Sequence, residues 1–174
     1  MKMPAVMKVI TLMAALLTLL FGALGNPAVT ITFATTCYHF AMRLVVGTCV
    51  DKVMRNRANY HASWFIQRGW EAKLYRLLRV KQWKSHFPTY DPSLFDTKLH
   101  TMDEIAQATC QAEIVHEIIV LLSFLPLLAT IPFGAFPAFL ITSLAATCFD
   151  TVFVIMQRFN RPQLIKLIQK GDPV

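Results

Sequence analysis

Glu113, His116 and Glu117, in the string QAEIVHE, stand where the chain enters the apolar run IIVLLSFLPLLATIPFGAF. An imidazole steered by a carboxylate is equipped for general-base catalysis, in which the ring takes the proton of a hydroxyl that then attacks an acyl carbon. Glu113, Glu117 and Asp150 are the candidate orienting groups, with Glu113 the expected one, and Arg43, Arg158 and Arg161 are placed to hold phosphates or an oxyanion. Two other chemistries compete. Glu-x-x-His is half of the di-iron pattern of helical bundles, which needs a second copy and two further carboxylates. With one copy and five scattered histidines, a metal-dependent enzyme is the weaker alternative and no metal ligand is assigned. The third reading is a non-enzymatic membrane partner or scaffold, whose polar residues only pair to hold helices together.

Two further apolar stretches carry polar faces. Thr32, Thr36, His39 and Arg43 recur at spacings of four, three and four, one side of a helix. Asp150, Gln157 and Arg161 follow at seven and four, with Arg158 and Asn160 flanking them. Ionisable groups inside a span cost about 2.5–3.5 kcal/mol each on insertion scales, so they face a bundle interior and mark function. The stretch led by Glu113 enters on the side where the other two leave, so all three faces can meet in one pocket on that side.

The elements that must position these residues follow from composition. Of 174 residues, 55% are hydrophobic and 16% charged, and the mean hydropathy is +0.47, too apolar for an ordinary soluble domain. Four stretches meet the ~20 apolar residues of a spanning helix: about 4–25, 28–50, 114–133 and 136–156. Asn26-Pro27 punctuates the first pair, and Pro132-Phe133-Gly134 with Pro137 the second, so each pair reads as a tight hairpin. A segment 51–112 separates the hairpins, and a tail 157–174 closes a single membrane domain.

Lys and Arg stay on the cytoplasmic side when a segment inserts. Two lysines lie near the N-terminus, ten basic residues lie from Lys52 to Lys98, four follow the last span, and neither hairpin tip has any. Both termini, the central segment and the tail are therefore expected in the cytoplasm of a multi-pass cell-membrane protein. A rival reading makes residues 1–25 a signal peptide, with 9–21 as its apolar core and Ala23-Leu24-Gly25 as the cleavage site. In the central segment Trp70, Leu74, Leu77 and Leu78 keep helical spacing with Lys73, Arg76, Arg79 and Lys81 interleaved. That pattern predicts a helix lying in the headgroup layer. The net charge of +7 needs no nucleic acid to explain it, since the positive-inside bias accounts for the excess and no nucleic-acid motif occurs. The four cysteines have no C-x-x-C spacing and are assigned no chemistry.

Three blocks carry a family resemblance: VKQWK (80–84), AEIVHE (112–117) and IMQRFNRPQL (155–164). In matching order they make the chain resemble the glycosyl-4,4'-diaponeurosporenoate acyltransferases, small membrane enzymes that esterify a sugar hydroxyl of a carotenoid glycoside with a fatty acyl chain. The last block is the most specific. The blocks cover roughly half the chain, its C-terminal part, and the N-terminal spans match only in hydropathy. By that resemblance Trp83, Lys84, Glu113, His116, Gln157, Arg158, Asn160 and Arg161 correspond to motif positions. One departure stands out: where the family tends to carry Asn-x-Pro, this chain has Asp150-Thr151-Val152, a carboxylate for an amide and no kinking proline.

The expected fold is all-α, an integral membrane bundle of about four transmembrane helices with a cytoplasmic interfacial helix between two helical hairpins, closed by a short amphipathic helix RPQLIKLIQK. The expected function is acyl transfer to a hydroxyl of a membrane lipid or glycolipid. His116, Glu113 and Asp150 would be catalytic, and His39, Arg43, Trp83, Lys84, Glu117, Gln157, Arg158, Asn160 and Arg161 would bind substrate. The acceptor would enter from the cytoplasmic leaflet, and acyl-CoA or acyl carrier protein would deliver the chain, with no other cofactor. The basic residues from Arg76 to Lys84, with Arg158 and Arg161, would receive the donor's phosphates.

Overall fold

A computed structural model describes residues 3–87 and 92–171; positions 1–2, 88–91 of the central segment and 172–174 of the tail lie outside the described residues. Every regular element among the described residues is helical: α1 (Met3–Ala23), α2 (Pro27–Met54), α3 (Gly69–Leu77), α4 (Val80–Trp83), α5 (Met102–Leu122), α6 (Thr130–Phe133) and α7 (Phe136–Lys170). Four segments are long and apolar enough to cross a membrane: Met3–Ala23, Pro27–Met54, Met102–Phe133 and Phe136–Lys170.

The turns are chemically specified. Gly25 takes the left-handed φ of +69° that a side chain disfavours. Asn26 then caps α2 by accepting the Val29 N–H at 3.2 Å, with Pro27 as first helical residue. At the second tip Gly134 (φ +67°) and Ala135 reverse the chain into α7. α1 packs along α2, and α5 along α7. The pairs join where Met42, Val46 and Val50 of α2 close on Ile119 of α5. The outward faces stay apolar, with Leu12, Leu16, Leu19, Leu121, Ile131 and Ile141 exposed. Exposed apolar surface of that extent marks a contact with a membrane or another protein, and the length and hydropathy of the four segments fit a membrane.

Three boundaries differ from the sequence expectation. α5 begins at Met102, twelve residues ahead of the predicted span. Its start is a capping box, in which Thr101 Oγ1 accepts the Glu104 N–H at 3.2 Å and Glu104 accepts the Thr101 N–H at 2.8 Å. The same span does not run evenly to residue 133. It tightens into a 3₁₀ turn at Leu125–Ala129, where Pro126 cannot donate, before α6. The separate C-terminal helix is a correction: RPQLIKLIQK continues α7 without a break. Pro162 forgoes only the bond to the Arg158 carbonyl, and buried ion pairs of Arg158 and Arg161 hold the turn around it.

At about 1.5 Å per residue the 35 residues of α7 are some 52 Å long, well beyond a hydrocarbon core of about 30 Å. Counted from Phe136, Asp150 lies about 21 Å along the axis and Arg158 about 33 Å. With the tips at one boundary of the core, Asp150 sits inside the apolar layer and Arg158 just past its other boundary. α3 docks at the Arg158 level through buried Glu71 and Tyr75. It turns Trp70 (60% exposed), Leu74 and Leu77 (80%) outward as an apolar stripe.

Candidate active site

The polar residues of the spans form two separate groups instead of one pocket. In the first, Asp150 on α7 is shared between α5 and α2. One carboxylate oxygen meets His116 Nδ1 at 2.9 Å, and the other pairs with the Arg43 guanidinium. Arg43 is steadied by donating to the His39 carbonyl at 2.8 Å, one turn back on its own helix. Asp150 is 1% exposed, whereas the His116 side chain keeps 18% of its surface open.

A carboxylate accepts only, so the Nδ1 facing Asp150 carries the ring proton and the lone pair is left on Nε2. That Nε2 makes no hydrogen bond among the described residues. Phe153, one turn beyond Asp150, lies parallel to the imidazole with centroids 4.7 Å apart and fixes its plane. The group is thus a histidine held by carboxylate, guanidinium and aromatic ring, with one basic nitrogen free to meet a hydroxyl.

The second group is saturated. Glu113, fully buried, receives Arg158 Nη1 on one oxygen and Arg161 Nη2 on the other, both at 2.5 Å. Arg158 also donates to Glu71 at 2.8 and 3.2 Å and to the Trp64 carbonyl at 2.9 Å. Arg161 donates to Thr109 Oγ1 at 2.9 Å and the Phe65 carbonyl at 3.0 Å, and lies over the Phe65 ring. Two carboxylates balance two guanidinium ions, which is the condition for burying them.

Several sequence expectations change here. Glu113 does not orient His116. It faces the opposite way along α5, into the arginines, and Asp150 occupies the orienting place. Glu-x-x-His therefore does not act as a chelating pair, and among the described residues no three His, Cys, Asp or Glu side chains gather as a metal set. Arg158 and Arg161 are not free for donor phosphates, because Arg161 is fully buried and both guanidinium groups are already engaged. Thr32 and Thr36 bond their own helix backbone and take no part in the polar face.

Other expected residues form the rim. Glu117, half-buried, accepts the Trp64 indole N–H at 3.1 Å. Lys84 donates to Asn160 Oδ1 at 2.5 Å and stands over the Phe159 ring; burial holds its ammonium below the usual lysine range, with Lys81 adding to the effect. Trp83 donates to the Leu78 carbonyl at 2.9 Å and begins an aromatic relay through Phe87 and Phe153 to His116. Gln157 is half-buried on α7 and belongs to neither group. The residues that sequence reasoning missed are Glu71, Thr109 and Phe153. Phe153 was legible as the position three after Asp150, but Glu71 sits in a polar segment with no spacing that ties it to a span.

His39 is buried beside the first group, and neither of its ring nitrogens has a hydrogen-bond partner among the described residues; the same holds for Ser143 Oγ. A family model described as glycosyl-4,4'-diaponeurosporenoate acyltransferase matches residues 61–170. That segment contains both carboxylates of the saturated group, the VKQWK block, His116 and Asp150, and leaves out His39 and Arg43. No curated protein and no solved structure matches the chain.

Proposed function

The chain belongs to the glycosyl-4,4'-diaponeurosporenoate acyltransferase family, and on that premise we propose that it transfers a fatty acyl chain to a hydroxyl of a membrane lipid or glycolipid at the cytoplasmic face. The observation that carries the reading is His116, held at Nδ1 by Asp150 with Nε2 open. The acceptor hydroxyl gives its proton to Nε2 as its oxygen attacks the thioester carbonyl of acyl-CoA or acyl-acyl carrier protein. The tetrahedral intermediate then expels the thiolate, which takes the proton back from His116. An ester and a free thiol result, and the base is regenerated. Asp150 stabilises the imidazolium that forms in between, and Arg43 keeps that carboxylate in place.

Sidedness rests on the charge distribution. The basic excess on the central segment and tail, against tips with none, supports a reading with the His116 end of the bundle in the cytoplasmic leaflet. The donor's phosphates are then received by the exposed cations of the α3–α4 region, Arg76, Arg79 and Lys81, in place of the two buried arginines.

The test is direct. Purified protein in nanodiscs, given labelled acyl-CoA and a glycolipid-containing membrane extract, should form a labelled lipid ester, and His116→Ala should not. A wild-type protein that forms no ester with any lipid extract or thioester donor counts against the reading. An unimpaired His116→Ala variant removes the histidine from the mechanism.

A further inference from the structure

A cavity of about 620 Å³ lies between the two helical pairs on the tip side of His116. Gly22, Ile31 and Ala34 form one wall and Leu125, Ala129 and Phe133 the other. The polar residues on its boundary are already satisfied. Thr30 and Thr35 donate to carbonyls of their own helix at 2.8 Å, Asn26 caps α2, and Tyr38 donates to the Leu122 carbonyl at 2.8 Å. The walls therefore present methyl, methylene and ring surface, within the size range of a ligand site.

Two buried polar side chains with no hydrogen-bond partner among the described residues, His39 and Ser143, stand between this cavity and the charged group. On α2, His39 is one turn past the cavity residue Thr35 and one turn before Arg43. On α7, Ser143 is one turn past the cavity residue Phe139 and two turns before Asp150. Phe139, Ser143 and Asp150 are all buried, at spacings of four and seven on one helix face. Buried polar groups find partners in folded proteins, so a lining that is apolar at one end and unsatisfied at the other calls for a ligand with the same polarity.

We propose that this cavity is the acyl-donor pocket, with the hydrocarbon running toward the Gly22–Asn26 tip and the thioester carbonyl beside His39, which donates a hydrogen bond to it. This rests on the acyltransfer reading and names the substrate that fills the site. The alternative occupant is the acceptor's tail, and geometry decides against it. The acceptor's reacting hydroxyl is carried on a polar head that belongs at the interface, beyond His116. The donor's reacting carbon is continuous with its chain, so chain and carbonyl must lie on the two sides of one junction.

Length follows too. Asn26 to Tyr38 is twelve residues, about 18 Å of helix at about 1.5 Å per residue. An extended chain covers about 3.3–3.6 Å per three backbone bonds, or roughly 1.2 Å per bond. The pocket therefore takes about 15 carbon–carbon bonds, and Gly22 and the tip act as its floor.

A 16-carbon acyl-CoA bearing a diazirine at its far end, photolysed with the protein in nanodiscs, should label peptides spanning 22–35 or 125–139 and be competed by unlabelled palmitoyl-CoA. Ala34→Phe, or Ala129→Phe from the opposite wall, should raise the ratio of 10-carbon to 16-carbon transfer by about tenfold or more. His39→Ala should lower kcat while labelling persists, with His39→Gln, which keeps a donor, partly restoring the rate. Labelling spread over the lipid faces at Leu12, Leu16 and Leu19, with an unchanged chain-length profile in both filling variants, overturns the pocket even if ester forms. Competed labelling in the pocket without ester from any acceptor keeps the pocket and overturns acyl transfer.

Discussion

Two ion-paired groups share α5 and α7 and differ in what they leave undone. Around Glu113 every charge is met by another, and further carbonyls and a threonine take up the remaining donors. Around Asp150 the pairing stops one atom short, at His116 Nε2, and the ring nitrogens of His39, the histidine next to it on α2, have no hydrogen-bond partner among the described residues. Counted along α7, the first arrangement lies about 12 Å farther from the hairpin tip than the second. Charge within a bundle thus does two jobs, and the free nitrogen tells them apart.

The sharpest way to break the contrast is Glu113→Ala. It leaves buried Arg161 without a carboxylate and Arg158 with Glu71 alone, and removing one partner of a buried pair costs about 3–5 kcal/mol; thermal unfolding in detergent should show a collapse in folded protein. An unaltered melting profile with lost activity would transfer Glu113 to the chemistry. His116→Ala should do the reverse, cutting the rate by about 10²–10⁴ at nearly normal stability. A histidine variant that melts as the Glu113 variant does would make the Asp150 group structural as well.

Asp150→Asn keeps the shape and restores the amide of the family pattern. It leaves the imidazole tautomer unfixed, and the loss should approach that of the histidine variant, up to about 10⁴, measured as kcat. Full activity would mean that His116 is oriented by something else. A smaller effect should come from Thr109→Val, which removes the Arg161 Nε partner. The expected cost is about 1.5–3 kcal/mol of stability, as for hydrogen bonds to charged groups, with the turnover of folded protein unchanged.

The smallest effect concerns Lys84. Its ammonium is depressed by burial, so between the depressed value and the ordinary one near 10.5 the unfolded chain holds the extra proton. Stability then rises as pH rises through that window. Lys84→Gln should flatten the rise in melting temperature from neutral pH to pH 10.

Much of this was legible in the sequence because lipid imposes long periods. The four apolar stretches and the Gly and Pro at the tips place the helices, and the Lys and Arg distribution gives the expected sidedness. The partnering of polar residues was not legible, since one helix face can present its carboxylate to either of two neighbours. Glu113 and His116, three residues apart, diverge to Arg158 and Asp150 because α7 crosses α5 with an acidic turn at one level and basic turns at another. The start of α5 was written in Thr101-Met102-Asp103-Glu104, but that capping box lies in a polar segment where hydropathy gives no prompt. Glu71 became part of the buried group only because α3 folds back on α7.

The unbroken course of α7 has a mechanical corollary. Asp150 and Arg158 are eight residues apart on one rod, so the reacting group hangs a fixed distance, about 12 Å at 1.5 Å per residue, below the anchor that Arg158 makes with Glu71. A bilayer that thickens or thins must take up the mismatch elsewhere, by tilt or at the Gly25 and Gly134 tips. On the sidedness and the chemistry proposed above, the reacting group keeps its depth from the cytoplasmic surface whatever the membrane thickness, while the far end of the molecule absorbs the change.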